Sequence, residues 1–459
     1  MKVCKFGGTS LANAGKLMKV CDIVLADPKR RVVVVSAPGK RTDGDTKVTD
    51  LLIACAEKRL AGQPYQKELD AIVQRYRDIQ QELGLDPSIV EAIAKDLKAR
   101  VEGDVSHRGQ FMDTMKAAGE DNCAKIVTAE FCRRGVDARY LSPKDGGLLL
   151  SDEYGNAQIL PESYGNLAAI RESKGITVFP GFFGYTRSGA VVTFPRGGSD
   201  ITGAILAAAV KAEVYENFTD VDSVCAIDPD LAPDVEPVLE LSFREMRELS
   251  YAGFNVLHDE AIVPAVRAGI PICVKNTSNP HLPGTLIVPE RKHITGDVVG
   301  IAYNAGFCSI SMYKYLMNRE VGFGRRLLQI IEDEGLSFEH LPSGIDTLSV
   351  VLREKDLDAA TEKRLMDRIR SELGVSELDI EHGLALIMIA GEGMRHRVGT
   401  AATAAQALSD AGVNIEMLDQ GASEISMMFG VKAEDAKRAV RSLYDAFFVH
   451  RKRKKSHKA

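Results

Sequence analysis

Twenty-five residues in the C-terminal part of the chain are written twice. "LQIIEDEGLSFEHLPSGIDTLSVVL" (328–352) aligns without a gap on "AQALSDAGVNIEMLDQGASEISMMF" (405–429). Gln329, Asp333, Gly335, Glu339, Leu341, Gly344 and Ser349 fall on Gln406, Asp410, Gly412, Glu416, Leu418, Gly421 and Ser426, at the constant offset 412 − 335 = 77. Apolar positions match as well, as in Ile331/Leu408 and Leu348/Ile425. Such a repeat obliges both copies to adopt one local structure. Each copy predicts a helix, a glycine cap, a strand, a glycine-containing turn and a second strand. One more helix and strand would complete a βαββαβ module. Two modules side by side can join into one sheet with ligand sites at their junction. A dimerisation pair without a ligand would carry the same pattern, because fold does not fix function.

The first 295 or so residues follow another grammar. "VCKF", "RVVVVSA", "GITVFPGF", "AVVTF", "AEVYENFTD" and "IPICVKN" predict strands, and 48–61, 65–83, 120–134, 164–173 and 201–212 predict helices. Continuous apolar strands separated by helices predict a mostly parallel sheet covered on both faces, with ligands beyond the carboxyl ends of its strands. A chain of 459 residues has room for two or three such domains. Its net charge of -6 argues against a nucleic-acid binder, and the tail "RKRKKSHKA" predicts a solvated, disordered terminus. Eight cysteines without a C-x-x-C pair predict reduced, mostly buried thiols in a cytoplasmic protein. Lys2 and Lys5 leave no apolar signal segment, and no apolar run reaches the roughly 18 residues of a membrane span.

Two glycine pairs stand at the ends of predicted strands. "CKFGGTSLANAGK" (4–16) places Lys5 before Gly7 and Gly8; "TFPRGGSDITGAILAAAVKA" (193–212) places Arg196 before Gly197 and Gly198, then Ser199 and Asp200. Either pair alone is compatible with a plain turn. Together they can aim two helix N-termini at one polyphosphate. Neither fits G-x-x-x-x-G-K-[ST], "SAPGK" (36–40) fails the spacing, and no G-x-G-x-x-G opens a helix. Phosphoryl transfer needs positioning and charge neutralisation above all. Lys5 suits a moving phosphoryl, and Asp200 could hold that lysine or orient the metal-nucleotide. Arg196 offers a fork for a carboxylate. Glu120, expected to open a helix, could take an amine or serve only as N-terminal helix charge. This set suits an α-amino acid. An acceptor that is itself a carboxylate needs no general base, and none of the nine histidines is assigned a catalytic part.

"KFGGTS" (5–10), "SAPGK…VTDLL" (36–52), "GE" (119–120), "PRGGSD" (195–200), "FTDVD" (218–222) and "KNTSNPHLPGT" (275–285) occur in that order. This set resembles the aspartate kinases of the amino acid kinase superfamily, over essentially the whole chain. The resemblance implies an amino acid kinase domain at 1–295, a mostly parallel sheet sandwiched by helices. It further implies two ferredoxin-like ACT domains at 300–382 and 383–450, possibly nested, before the basic tail 451–459. The implied activity is ATP-dependent phosphorylation of the L-aspartate β-carboxylate to 4-phospho-L-aspartate, a first step towards lysine, threonine and methionine. Lys5 and Asp200 would be catalytic. Lys5, Gly7, Gly8, Thr219 and Asp220 would line the ATP site, with magnesium carried on the nucleotide. Ser36, Thr49, Glu120, Arg196 and Ser199 would hold aspartate. An effector, lysine or threonine, would bind near Met312, Asn318, Gly322, Glu339 and Asp346, in a homo-oligomer joined through the ACT domains. Ser223, Cys225, Asp230 and Asn255 depart from the family pattern at nucleotide-facing positions. A kinase for another amino acid such as glutamate, or a non-catalytic amino-acid sensor, are the competing expectations.

Overall fold

The computed structural model describes residues 1–449 apart from Arg196, Pro233, Asn255, Val256, His258 and Thr295. The chain forms two compact units, the first made of Met1–Val224, Leu239–Phe243 and Val256–Arg291, the second of the rest. The first twelve strands in chain order are β1 (Lys2–Phe6), β2 (Arg30–Val35), β3 (Ala138–Tyr140), β4 (Ile176–Pro180), β5 (Phe183–Tyr185), β6 (Val191–Thr193), β7 (Tyr215–Thr219), β8 (Val224–Cys225), β9 (Pro237–Val238), β10 (Glu240–Ser242), β11 (Ile272–Asn276) and β12 (Thr285–Val288). Eight of them make one sheet in the order β10-β12-β11-β7-β1-β2-β4-β3, while β5–β6 and β8–β9 pair separately. Every pairing in the large sheet is parallel except β11–β12. The four valines that end β2 are all buried, as expected of a central strand covered on both faces. "AVVTF" departs from expectation: it supplies β6 of an antiparallel hairpin closed by a turn with Gly189 at φ 89°.

Helices α1 (Ala14–Leu25), α2 (Val48–Leu60), α3 (Gln66–Leu83), α4 (Ser88–Val101), α5 (Arg108–Arg133), α6 (Glu162–Ala168), α7 (Gly198–Ala209), α8 (Phe243–Tyr251) and α9 (Val263–Arg267) accompany these strands. The core joins Cys4, Phe6, Val33 and Val35 of the sheet to Leu17, Leu52, Tyr76, Met115 and Phe131 of the helices. The largest difference from the sequence reading is α5, expected only from residue 120. It starts at Arg108 behind a His107 cap and runs through Gly109 and Gly119. Those glycines are contact points: a Cβ at Gly109 would lie 2.9 Å from Tyr154 Cβ, and one at Gly119 2.7 Å from Ala37 Cβ. α7 likewise starts earlier than expected, at Gly198 itself.

The second unit carries one antiparallel sheet of β13 (Gly300–Tyr313), β14 (Thr347–Arg353), β15 (Glu377–Ala390), β16 (Met417–Asp419) and β17 (Ser426–Lys432), in the order β14-β13-β15-β17-β16. Its helices are α10 (Phe323–Asp333), α11 (Ala359–Leu373), α12 (Thr400–Asp410) and α13 (Ala436–Tyr444). The repeat is kept to the residue at the first helix of each copy. α10 and α12 begin and end 77 positions apart (400 − 323, 410 − 333), and so do the ends of β13 and β15 (390 − 313). Gly335 and Gly412 close the two helices at φ 71° and 65°, where a Cβ would be strained. The first strand expected in each copy is short: β16 in the second copy, isolated bridges at His340 and Ser343 in the first. The two long strands are shared. Gly300–Ala305 of β13 lies beside Ala385–Ala390, whereas Phe307–Tyr313 pairs with β14 and with Leu384–Glu377, the register shifting around Gly306. No helix among the described residues is long and apolar enough to cross a membrane.

Candidate active site

β1 is flanked by β7 and β2, and Lys5 is in register with Asn217 on one side and Val34 on the other. In parallel strands such partners share a face, so the lysine and the asparagine stand side by side. Both are buried, at 7% and 2% exposure. The first turn of α7 supplies the third member: Asp200 Oδ1 lies 2.6 Å from Lys5 Nζ and accepts a 2.8 Å hydrogen bond from Asn217 Nδ2. Gly197, at φ 76°, caps α7, and a Cβ on Gly198 would strike the Phe182 ring at 2.6 Å. The second glycine pair is therefore what lets α7 start close enough to bring Asp200 to the lysine. Asn217 Oδ1 is buried without a hydrogen-bond partner among the described residues. The sequence reading passed over Asn217.

The first glycine pair has a different structural reason. A Cβ on Gly8 would lie 2.7 Å from the Ala37 carbonyl oxygen, and one on Gly39 would lie 2.6–2.8 Å from Gly8 and Thr9 backbone atoms. The Gly39 N–H donates to Gly8 O at 2.8 Å. "KFGGTS" and "SAPGK" are thus two loops pressed backbone to backbone. The second loop is pinned further by Ser36 N–H to Phe6 O at 3.2 Å, by Val48 N–H to Pro38 O at 3.1 Å, and by buried Arg75 Nη1 to Gly39 O at 2.8 Å.

Glu120 lies in the middle of α5, which removes its reading as N-terminal helix charge. It is 5% exposed, and its Oε2 has no partner among the described residues. Burial pushes its carboxyl up to about 8, despite the Ala37 N–H and its own N–H, which favour the ionised form. A buried carboxyl with an unused oxygen is a ready acceptor for a cation. The Ala37 loop links this group to Gly8. Ser36 and Thr49, the latter in the first turn of α2, are both half-buried. Ser199 is buried against Gly181, where a Cβ would come within 2.7 Å of its Oγ.

Thr219 ends β7, and its Oγ1 donates to Asp220 Oδ1 at 3.1 Å. The loop that follows is held by "KNTSNP": Thr277 N–H donates to Thr219 O at 2.9 Å, and Asn276 and Asn279 donate to Asp222 Oδ1 at 2.6 and 2.9 Å. These amides hold the Asp222 carboxyl below the usual carboxylate range. Among the divergent positions, Ser223 and Cys225 are half-buried and Asp230 is exposed. Arg196 and Asn255 lie outside the described residues. No group of three or more histidines, cysteines or acidic side chains among the described residues could hold a metal ion.

In the second unit, Asp346 receives Leu316 N–H on Oδ1 at 2.9 Å and Lys314 N–H on its carbonyl at 2.8 Å, while Asn318 N–H donates to Ile345 O at 3.2 Å. Asn318, Asp346 and Gly322, the cap of α10 at φ 80°, therefore belong to one pair of linked loops. Met312 is in the core beneath them. Glu339 is engaged elsewhere, by Arg353 Nε at 2.6 Å and by the Tyr251 hydroxyl.

Residues 1–276 match the model of the amino acid kinase family, and 387–447 match an ACT domain. Aspartokinase 3 of Bacillus subtilis is 56% identical over 449 residues, spanning 98% of this chain and 99% of its own. The crystal structure of Clostridium acetobutylicum aspartate kinase superimposes with a TM-score of 0.87 at 38% identity, over 97% of this chain and 100% of its own. E. coli aspartokinase III in complex with lysine and aspartate (T-state) superimposes at 0.74 and 25% identity, over 98% and 99%. The chain belongs to the amino acid kinase family and, within it, to the aspartokinases.

Proposed function

We propose that Lys5 and Asp200 are the catalytic pair of this aspartokinase, whose reaction moves the γ-phosphoryl of ATP to the β-carboxylate of L-aspartate and yields 4-phospho-L-aspartate. The observation that carries the assignment is the buried 2.6 Å contact between them at the carboxyl end of the central strands. The nucleophile is already ionised at neutral pH, so no general base is required. What remains is neutralising charge on the transferred group. The Lys5 ammonium does this, Asp200 fixes where it points, and Asn217 fixes Asp200.

The pressed loops leave backbone amides around Gly7 and Gly8 for ATP phosphates, and the start of α7 adds a positive dipole end. Thr219 and Asp220 border the nucleotide, with magnesium arriving on ATP. For aspartate, Glu120 takes the ammonium with its unused oxygen, Ser36 and Thr49 line that end, and Arg196 with Ser199 takes carboxylate. We take 1–295 as the catalytic region and 300–382 and 383–450 as two ACT regions, nested through the shared strands β13 and β15, the ACT pair mediating self-association. Amino acids act on the enzyme through this pair. A lysine-type effector binds the linked loops of Asn318, Gly322 and Asp346, over Met312, while Glu339 is held apart from them by Arg353; the E. coli relative forms a complex with lysine and aspartate.

The test is purified chain with Mg-ATP and L-aspartate, the acyl phosphate trapped with hydroxylamine. Wild type forms hydroxamate. Lys5→Ala loses at least about 100-fold in kcat, as removal of a transition-state charge does, with aspartate affinity kept. Unchanged turnover in that variant removes Lys5 from the mechanism.

A further inference from the structure

Between β2 and α2 the chain leaves the sheet for a polar excursion, "KRTDGDTK" (40–47). A surface loop of this composition is mobile unless something ties it down. This one is closed at its neck. Val48 N–H donates to Pro38 O at 3.1 Å, and the Arg75 guanidinium of α3 spans both ends, with Nη1 on Gly39 O at 2.8 Å and Nη2 on Thr46 O at 3.1 Å. Nη2 also meets Asp45 Oδ2 at 2.6 Å. Arg75 is 3% exposed, and a guanidinium so placed is costly unless it is paired. Among the described residues, its hydrogen bonds all go to this loop.

The cations here are thus divided. Asp45 engages Arg75 and also Arg41, whose backbone N–H and Nε reach its Oδ2 at 2.9 Å each, and these bonds hold the Asp45 carboxyl well below the usual carboxylate range. Lys40 is exposed and forms no ion pair among the described residues. It follows Gly39 directly, about 3.8 Å on along the Cα trace. Gly39 is the residue pressed against Gly8, its N–H on Gly8 O at 2.8 Å. On the other side of the glycine pair, a Cβ on Gly7 would lie 3.7 Å from Lys5 Nζ. The bare backbone of Gly7 and Gly8 is therefore flanked by two lysines, one buried on β1 and one at the start of the clasped loop. The buried one is not a free charge, since Asp200 stands 2.6 Å from it. Magnesium offsets only part of the charge of a triphosphate. A cation without a carboxylate of its own is what this surface still needs.

We propose that Lys40 is a second phosphate-binding residue, presented by the clasped loop to the β- and γ-phosphates of ATP, and that Arg75 is the positioning residue that keeps it there. The proposal rests on the reading of Gly7 and Gly8 as the phosphate floor.

The test is calorimetric titration of the full chain with Mg-ADP, beside steady-state kinetics. Lys40→Gln weakens Mg-ADP binding and raises KM for ATP at least about tenfold, as loss of a charge-assisted hydrogen bond does, with KM for aspartate kept. Lys40→Arg retains binding. The gap between wild type and Lys40→Gln narrows as salt is raised. Lys47→Gln, which removes the same charge from the far end of the loop, leaves Mg-ADP binding unchanged. Arg75→Lys keeps a charge but cannot span three acceptors; it weakens Mg-ADP as Lys40→Gln does, and the double variant binds no worse than either. Additive losses overturn the part given to Arg75, and the exposed Lys40 variants carry the rest of the test even where Arg75→Lys melts early. Wild-type Mg-ADP binding in Lys40→Gln, a loss that falls on aspartate instead, or an equal loss in Lys47→Gln overturns the proposal. If Lys5→Ala still loses turnover in that case, the catalytic assignment stands; unchanged turnover there removes both.

Discussion

At the scale of single residues, the groups with most at stake are two buried ones. The Glu120 carboxyl is raised from 4.5 to about 8 by burial. The folded state thus holds its proton more tightly than the unfolded state does. Its contribution to stability is complete below about pH 4.5 and is lost as pH rises through about 8. Between pH 6 and pH 8.5 the urea unfolding transition of wild type should lose roughly 2–3 kcal/mol. Glu120→Gln should flatten that loss. Binding an ammonium favours the ionised form, so KM for aspartate should fall as pH rises from 6.5 to 8 and stay high and flat in Glu120→Gln. Equal pH slopes in the two proteins would contradict both effects. Asn217 is the second case. Replacement by leucine removes one hydrogen bond to a charged acceptor, worth about 1.5–3 kcal/mol, and also the unpaired buried Oδ1. We expect kcat to drop by at least about tenfold, with KM for aspartate nearly unchanged and little change in melting temperature. A purely structural asparagine would show the reverse. Lys5 and Asp200 were legible because each stands beside a glycine pair, and the two pairs together point to one polyphosphate although either alone reads as a plain turn. Asn217 was not, since "YENF" reads as any strand and only its register with Lys5 gives the amide a purpose.

At the scale of elements, the decisive contact is between α5 and the loop after β2. Sequence patterning placed the start of this helix at 120, just after Gly119, and glycines at 109 and 119 do lower helix propensity. The fold keeps both glycines inside one helix because of close approach, a tertiary cause invisible to a local pattern. Gly119→Ala would put a Cβ 2.7 Å from Ala37 Cβ and 3.3 Å from Leu52 Cδ1. The loop must then shift, moving the Ala37 N–H off Glu120 and loosening the contact with Gly8. Overpacking of this kind costs about 1–3 kcal/mol, and we expect KM for aspartate to rise several-fold. Ala37→Gly removes the opposing methyl, so the double variant Gly119→Ala/Ala37→Gly should recover most of the affinity lost. Additive losses in that double-mutant cycle would mean that the two residues do not act through this contact.

At the scale of the whole molecule, the repeat was legible because its identities keep one register over 25 positions. The sharing of strands was not. Gly300–Ala305 belongs to the strand that opens the first copy yet pairs with the half of β15 that leads into the second, and long-range pairing leaves no mark on a local pattern. This interleaving makes a thermodynamic claim. Leu327 of α10, fully buried, belongs to one core cluster with Cys308, Ile310 and Met312 of β13 and Leu348 of β14, with Leu378 and Ile380 of β15 at its margin. β13 and β15 then continue into the second copy, where β15 pairs with β17. Leu327→Ala removes about 2–5 kcal/mol of packing from the first copy alone. If the copies were independent, amide exchange would accelerate in β14 and leave β17 unchanged. With two continuous strands running through both, opening of one copy withdraws the edge on which the other is built. Exchange in β17 should therefore accelerate with that in β14, by a similar factor, when the full-length variant is followed by hydrogen exchange and mass spectrometry. Such coupling would give an amino acid bound to either copy a route to the other, because ligand and packing would bias the same cooperative unit. Protection of β17 that stays at the wild-type level while β14 loosens would instead make the two copies separate sensors.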